Sequence, residues 1–147
     1  GVIQVSMPEG KGAAVPTMVL ANASPLANGH VLLVPNSDQL LPQVLNEELI
    51  LCGLQILQRS GRHDFRLVFN SLMGFASVNH FHFHGLFLGF CGMPGNRLPI
   101  EKVERSVIAG DFTEGKVAVE LILETQWYSK GFVLSAGCRE GTPGENP

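Results

Sequence analysis

Three of the five histidines in this chain fall at positions 80, 82 and 84, separated by Phe81 and Phe83. Alternation of this kind over residues 78–88 predicts a β-strand rather than a helix, because successive side chains of a strand point to opposite faces. His80, His82 and His84 then share one face, while the phenylalanines anchor the strand in a core from the other. An imidazole titrates near pH 6.5, so such a row can keep a neutral ring beside a protonated one at neutral pH. Three readings follow. Histidines from one strand can hold zinc with a water in the open position, although no carboxylate or thiol stands in the ten residues before His80 to extend the set. The row can be structural, provided each buried ring finds a partner. A neutral imidazole can also attack phosphorus as a nucleophile, and this third reading accounts best for the row.

Such a row needs a sheet to hold it. The 147 residues suffice for one domain. With 45% hydrophobic and 16% charged residues and a net charge of −3, the chain has the means to bury a core. That composition excludes a disordered chain and a binder of polyanions, so no nucleic-acid partner is expected. Val2–Val5 alternates weakly and runs into a turn cluster at Pro8–Gly12; Thr17–Ala21 and His30–Val34 read as the two strands of a hairpin. Asn46 is an N-cap, with Glu47 and Glu48 in the first turn, for an amphipathic helix that stops at Ser60-Gly61. Phe65–Asn70, Gly115–Leu123 and Trp127–Leu134 read as further strands. The sum is an α+β fold: an antiparallel sheet of about five or six strands with one or two packed helices, spanning residues 1–134, with a turn-rich, flexible tail at 135–147. Cys52, Cys91 and Cys138 are odd in number, widely spaced and without a CxxC pair, which suits a reducing, cytoplasmic setting. No apolar run has the length of a membrane span, and no membrane partner is expected.

The segment His80-Phe-His-Phe-His-Gly-Leu86 resembles the signature of the histidine triad superfamily of nucleotide hydrolases and transferases. A second block, Leu20-Ala-Asn-Ala-Ser-Pro-Leu-Ala-Asn-Gly-His-Val-Leu-Leu-Val-Pro35, resembles the hairpin of the same superfamily. More narrowly, Phe69–Gly85 is similar to the GDP-hexose phosphorylases, the animal enzymes for GDP-D-glucose and their plant relatives for GDP-L-galactose. The resemblance implies phosphorolysis of GDP-glucose to glucose 1-phosphate and GDP. His82 is then the nucleophile that becomes a guanylyl-histidine, flanked by His80 and His84. One of these fixes the ring of His82, and the other donates to phosphate or leaving-group oxygens. Asn22 matches a ribose-contacting position, Asn70, Ser77 and Val78 match a segment around the phosphates, and His30 stands near the site. The resemblance implies no metal and no cofactor, inorganic phosphate being the co-substrate, and it makes a homodimer an expectation. His84 occupies a third position that hydrolases of the superfamily share, so a nucleotide hydrolase and a catalytically incomplete nucleotide-binding fragment stand as alternatives.

Overall fold

The computed structural model describes residues 1–9 and 13–137. Residues 10–12 of the turn cluster, Cys138 and the tail from 138 onward lie outside the described residues. Among those described, eight strands and one α-helix give an α+β architecture, as the sequence predicts, in two compact units divided after Arg97. The span expected from sequence, 1–134, crosses that division.

The first unit is a five-stranded sheet in the order β1-β2-β3-β5-β4, every neighbouring pair antiparallel. Its strands are β1 (Val2–Val5), β2 (Val15–Ala21), β3 (Val31–Pro35), β4 (Phe65–Val68) and β5 (Phe83–Phe87). The β2–β3 hairpin closes through a loop in which the Asn22 side chain accepts from the Ser24 N–H at 2.9 Å. Gly29 ends that loop at φ +76°, and a Cβ there would come within 2.7 Å of the Phe90 ring, so glycine is required both for conformation and for space. Helix α1 (Glu47–Ser60) begins where Asn46 accepts from the Leu49 N–H at 2.9 Å and ends at Gly61 in the left-handed conformation. Its buried stripe, Leu49, Cys52, Gly53 and Ile56, follows the i, i+3, i+4, i+7 spacing. That stripe packs on one face of the sheet against Val5, Val15, Leu33, Phe65, Phe81 and Phe83. Phe81 and Phe83 meet edge-on at 4.9 Å between centroids, and burying each ring is worth about 1.5–3 kcal/mol.

The long strand expected over 78–88 is shorter in the structure. β5 starts at Phe83, because β3 pairs no further than Leu33 with Phe83 and β4 no further than Val68 with His84. The residues before it bond instead to the loop ahead of α1: the Phe81 N–H donates to Leu41 O at 2.7 Å. The face alternation survives this change, with Phe81, Phe83 and Gly85 buried and His80, His82 and His84 half-buried on the other side.

The second unit holds a three-stranded antiparallel sheet, β6 (Ser106–Ala109), β7 (Val117–Ile122) and β8 (Gly131–Ala136), with β7 central. β7 lies within the stretch read as a strand. β8 begins four residues later than the predicted 127 and runs to Ala136, two residues into the expected tail. The delay has a local cause: the N–H groups of Gln126 and Trp127 both donate to Leu123 O, and the Gln126 side chain accepts from the Leu123 N–H, which winds the segment into a turn. β6, four exposed residues beside a charged stretch, carries no alternating pattern that would announce it. Among the described residues no helix is long and apolar enough to cross a membrane.

Candidate active site

A cavity of about 610 Å³ opens on the sheet face opposite α1 in the first unit. All eight residues singled out from the sequence line it: Asn22, His30, Asn70, Ser77, Val78, His80, His82 and His84. The strands set them there by register. Leu32 of β3 and Val68 of β4 stand directly across from His84 of β5, giving one apolar-imidazole-apolar rung across the floor. Asn70 follows the end of β4, Asn22 and His30 flank the hairpin loop, and Ser77 and Val78 come from the β4–β5 connection.

Hydrogen bonds in this cavity fix the ring tautomers, because a backbone N–H can only donate and a carbonyl can only accept. The Leu26 N–H donates to His30 Nδ1 at 2.9 Å. His30 therefore carries its proton on Nε2 and donates it to His84 Nδ1, also at 2.9 Å. His84 in turn keeps its proton on Nε2 and donates to Asn70 Oδ1 at 3.1 Å. Two neutral imidazoles and a carboxamide thus form a directed chain that starts from one main-chain amide. Asn22 stands beside it, its Nδ2 lying 3.4 Å from His30 Nδ1, the accepting nitrogen of that ring. The electrostatics agree. Burial pushes the pKa of His30 down, and burial followed by the neighbouring His82 and His30 rings pushes that of His84 down, so both favour the uncharged form.

His82 is held differently. Its Nδ1 donates to His80 O at 2.8 Å, which leaves the lone pair on Nε2. Its ring lies 5.0 Å from that of His84, centroid to centroid, and nearly perpendicular to it. His80 supplies the carbonyl that orients His82. Its own Nε2 is the one buried side-chain nitrogen or oxygen among the described residues without a hydrogen-bond partner. An orphaned buried polar atom costs about 1–3 kcal/mol. Among the described residues no group of three or more His, Cys, Asp or Glu is arranged to hold a metal ion.

Two further contributors carry no signal in the sequence. The Leu26 amide, which sets the tautomers of two rings, is main chain and has no residue signature. Gln43 is 1% exposed and bonds both main-chain polar groups of His82: its Oε1 accepts from the N–H at 2.9 Å and its Nε2 donates to the carbonyl at 3.2 Å. It lies in a polar break between β3 and α1 where spacing says nothing.

An antiparallel α+β unit whose cavity sets an imidazole lone pair beside a neutral imidazole chain is a class of site suited to attack on an electrophile such as a phosphoanhydride. The chain belongs to the GDPGP1-like family, matching the sequence profile of that family's N-terminal domain over residues 4–86, the stretch that contains the whole cavity. It is 53% identical over 72 residues to GDP-D-glucose phosphorylase 1 of Xenopus laevis, covering 49% of this chain and 18% of that protein. To GDP-D-glucose phosphorylase 1 of Homo sapiens it is 45% identical over 85 residues, 58% of this chain and 20% of the relative. To GDP-L-galactose phosphorylase 2 of Arabidopsis thaliana it is 39% identical over 87 residues, 59% and 19% respectively. The match thus spans a fifth or less of the length of these three relatives. No solved structure matches the chain.

Proposed function

We propose that this chain carries the nucleotidyl-transfer site of a GDP-hexose phosphorylase, with GDP-glucose and inorganic phosphate as substrates and His82 as the nucleophile. The observation that carries the reading is the bond from His82 Nδ1 to His80 O, which leaves Nε2 as the basic nitrogen of a ring in the cavity wall. His82 Nε2 attacks the α-phosphorus, the bond from that phosphorus to the bridging oxygen breaks, and glucose 1-phosphate leaves with the electron pair. A phosphate oxygen then attacks the same phosphorus, the N–P bond breaks, and GDP departs as His82 regains its lone pair. Two displacements on one nitrogen predict ping-pong kinetics.

The neutral chain supports both steps. His84 Nε2–H, aimed at Asn70 Oδ1, is a donor that a non-bridging oxygen can share as charge develops, and His30 Nε2–H holds it in that tautomer by occupying His84 Nδ1. His80 lines the same cavity and borders the ligand. Asn22 on the hairpin faces the ribose, and Asn70, Ser77 and Val78 border the phosphates. The reading places the chain in the histidine triad superfamily, in the cytoplasm and as a homodimer, and it needs neither metal nor cofactor.

Intact-mass spectrometry after mixing with GDP-glucose tests it. The parent chain gains the mass of GMP and His82→Ala does not; added phosphate discharges the adduct to GDP, and EDTA changes nothing. Discharge to GMP regardless of phosphate assigns a hydrolase instead. Absence of any adduct in a folded chain that binds GDP reduces the site to a binding module.

A further inference from the structure

We infer that Gln43 is a positioning residue for His82, a role that rests on the nucleophile reading above. The main chain around His82 has lost its strand partners, since neither β3 nor β4 pairs beyond Phe83 and His84 on that side. A single carboxamide stands where a neighbouring strand would. Its Oε1 accepts from His82 N–H, and its Nε2 donates to His82 O and, at 3.0 Å, to Asn70 O. The Gln43 main-chain N–H donates to Asn79 Oδ1 at 3.0 Å, and Phe81 N–H donates to Leu41 O, so the loop at 41–43 runs as an improvised ladder along 79–82.

One side chain therefore ties together two parts of the site that come from different strands. His82 holds the attacking nitrogen, and Asn70 ends the imidazole chain by accepting from His84. Because the carboxamide bonds main-chain atoms of both, it sets the spacing between lone pair and donor. Gln43 does not itself line the cavity, so it has no contact through which to bind a ligand. The separation of roles is testable: loss of Gln43 slows the chemical step and leaves ligand affinity in place.

The experiment uses the full chain, Gln43→Met, which removes every side-chain bond at nearly constant shape, and Asn79→Ala, which removes only the outer support through an exposed residue. Readouts are the rate of guanylyl-His82 formation, the Kd for GDP and the ¹⁵N shifts of the His82 ring. Q43M is expected to slow adduct formation about 100-fold, the scale of a small misplacement of reacting groups, with the Kd within about two-fold. The His82 ring should change from the single Nδ1–H form to a mixture of tautomers. N79A should move the rate and the tautomer in the same direction by a smaller factor, and it decides the question if Q43M does not fold. An unchanged rate and tautomer, or a Kd that weakens in step with the rate, overturns the inference. If the parent itself forms no adduct, the nucleophile reading fails while the tautomer still decides whether Gln43 positions the ring.

Discussion

At the scale of single residues, the three histidines of the row do three different things, although the sequence presents them as equivalents. His82 is oriented, His84 is wired, and His80 is left with a buried nitrogen that has no partner. Replacing His80 by Leu should therefore raise stability by about 1 kcal/mol, because an unsatisfied polar atom leaves the interior. The same change should weaken GDP binding. Chemical denaturation beside a nucleotide titration checks both signs, and stabilisation with undiminished binding would count against a ligand role for His80. The depressed pKa values of His30 and His84 make a pH prediction. Both rings bind protons less readily folded than unfolded, so the stability they confer is complete above the ordinary imidazole pKa of about 6.5 and is lost as pH falls below it toward the folded values. Denaturant midpoints measured at about pH 7.5 and about pH 5.5 should differ, and His30→Asn should narrow the difference.

At the scale of elements, β5 matters for what it leaves out as well as for what it carries. Gly85 faces the core directly beneath the site, and a Cβ there would come within 2.8–2.9 Å of Val31, Leu33 and Phe65. Gly85→Ala should cost about 1–3 kcal/mol by overpacking and displace His84 on its way to relief, so thermal melting and adduct formation should both suffer. Helix α1 gives a contrasting test. Asn46→Ala removes its N-cap bond and should cost about 1 kcal/mol with no effect on the rate of adduct formation, since the cap lies outside the cavity lining. Elements governed by local rules were legible: the cap, the first-turn glutamates and the apolar stripe of α1 are all within a few residues of one another. The extent of β5 was not, because a strand ends where its neighbours stop pairing, and β3 and β4 are remote in sequence. β6 escaped for a related reason, being four residues with no buried face to impose a pattern.

At the scale of the whole molecule, the cavity and the core beneath it are made only of residues before Arg97. A chain cut to residues 1–97 should consequently fold and bind GDP with an affinity close to that of the parent; loss of binding in a folded fragment would show that residues beyond 97 serve the site. The eight residues gathered from sequence came together because pattern and resemblance both report on a shared face and a shared hairpin. Gln43 stayed hidden, as its partners lie 27 and 39 positions away and a lone glutamine in a polar loop looks like any other.

The amide of Leu26 has a genetic consequence. Every amino acid but proline supplies the N–H that His30 accepts, so mutation at that codon is almost free to wander while the proton order of two imidazoles stays put. An alignment of relatives can show a variable column there above an unvarying task. The one informative lesion is Leu26→Pro, which deletes the donor and lets both rings choose their tautomers again.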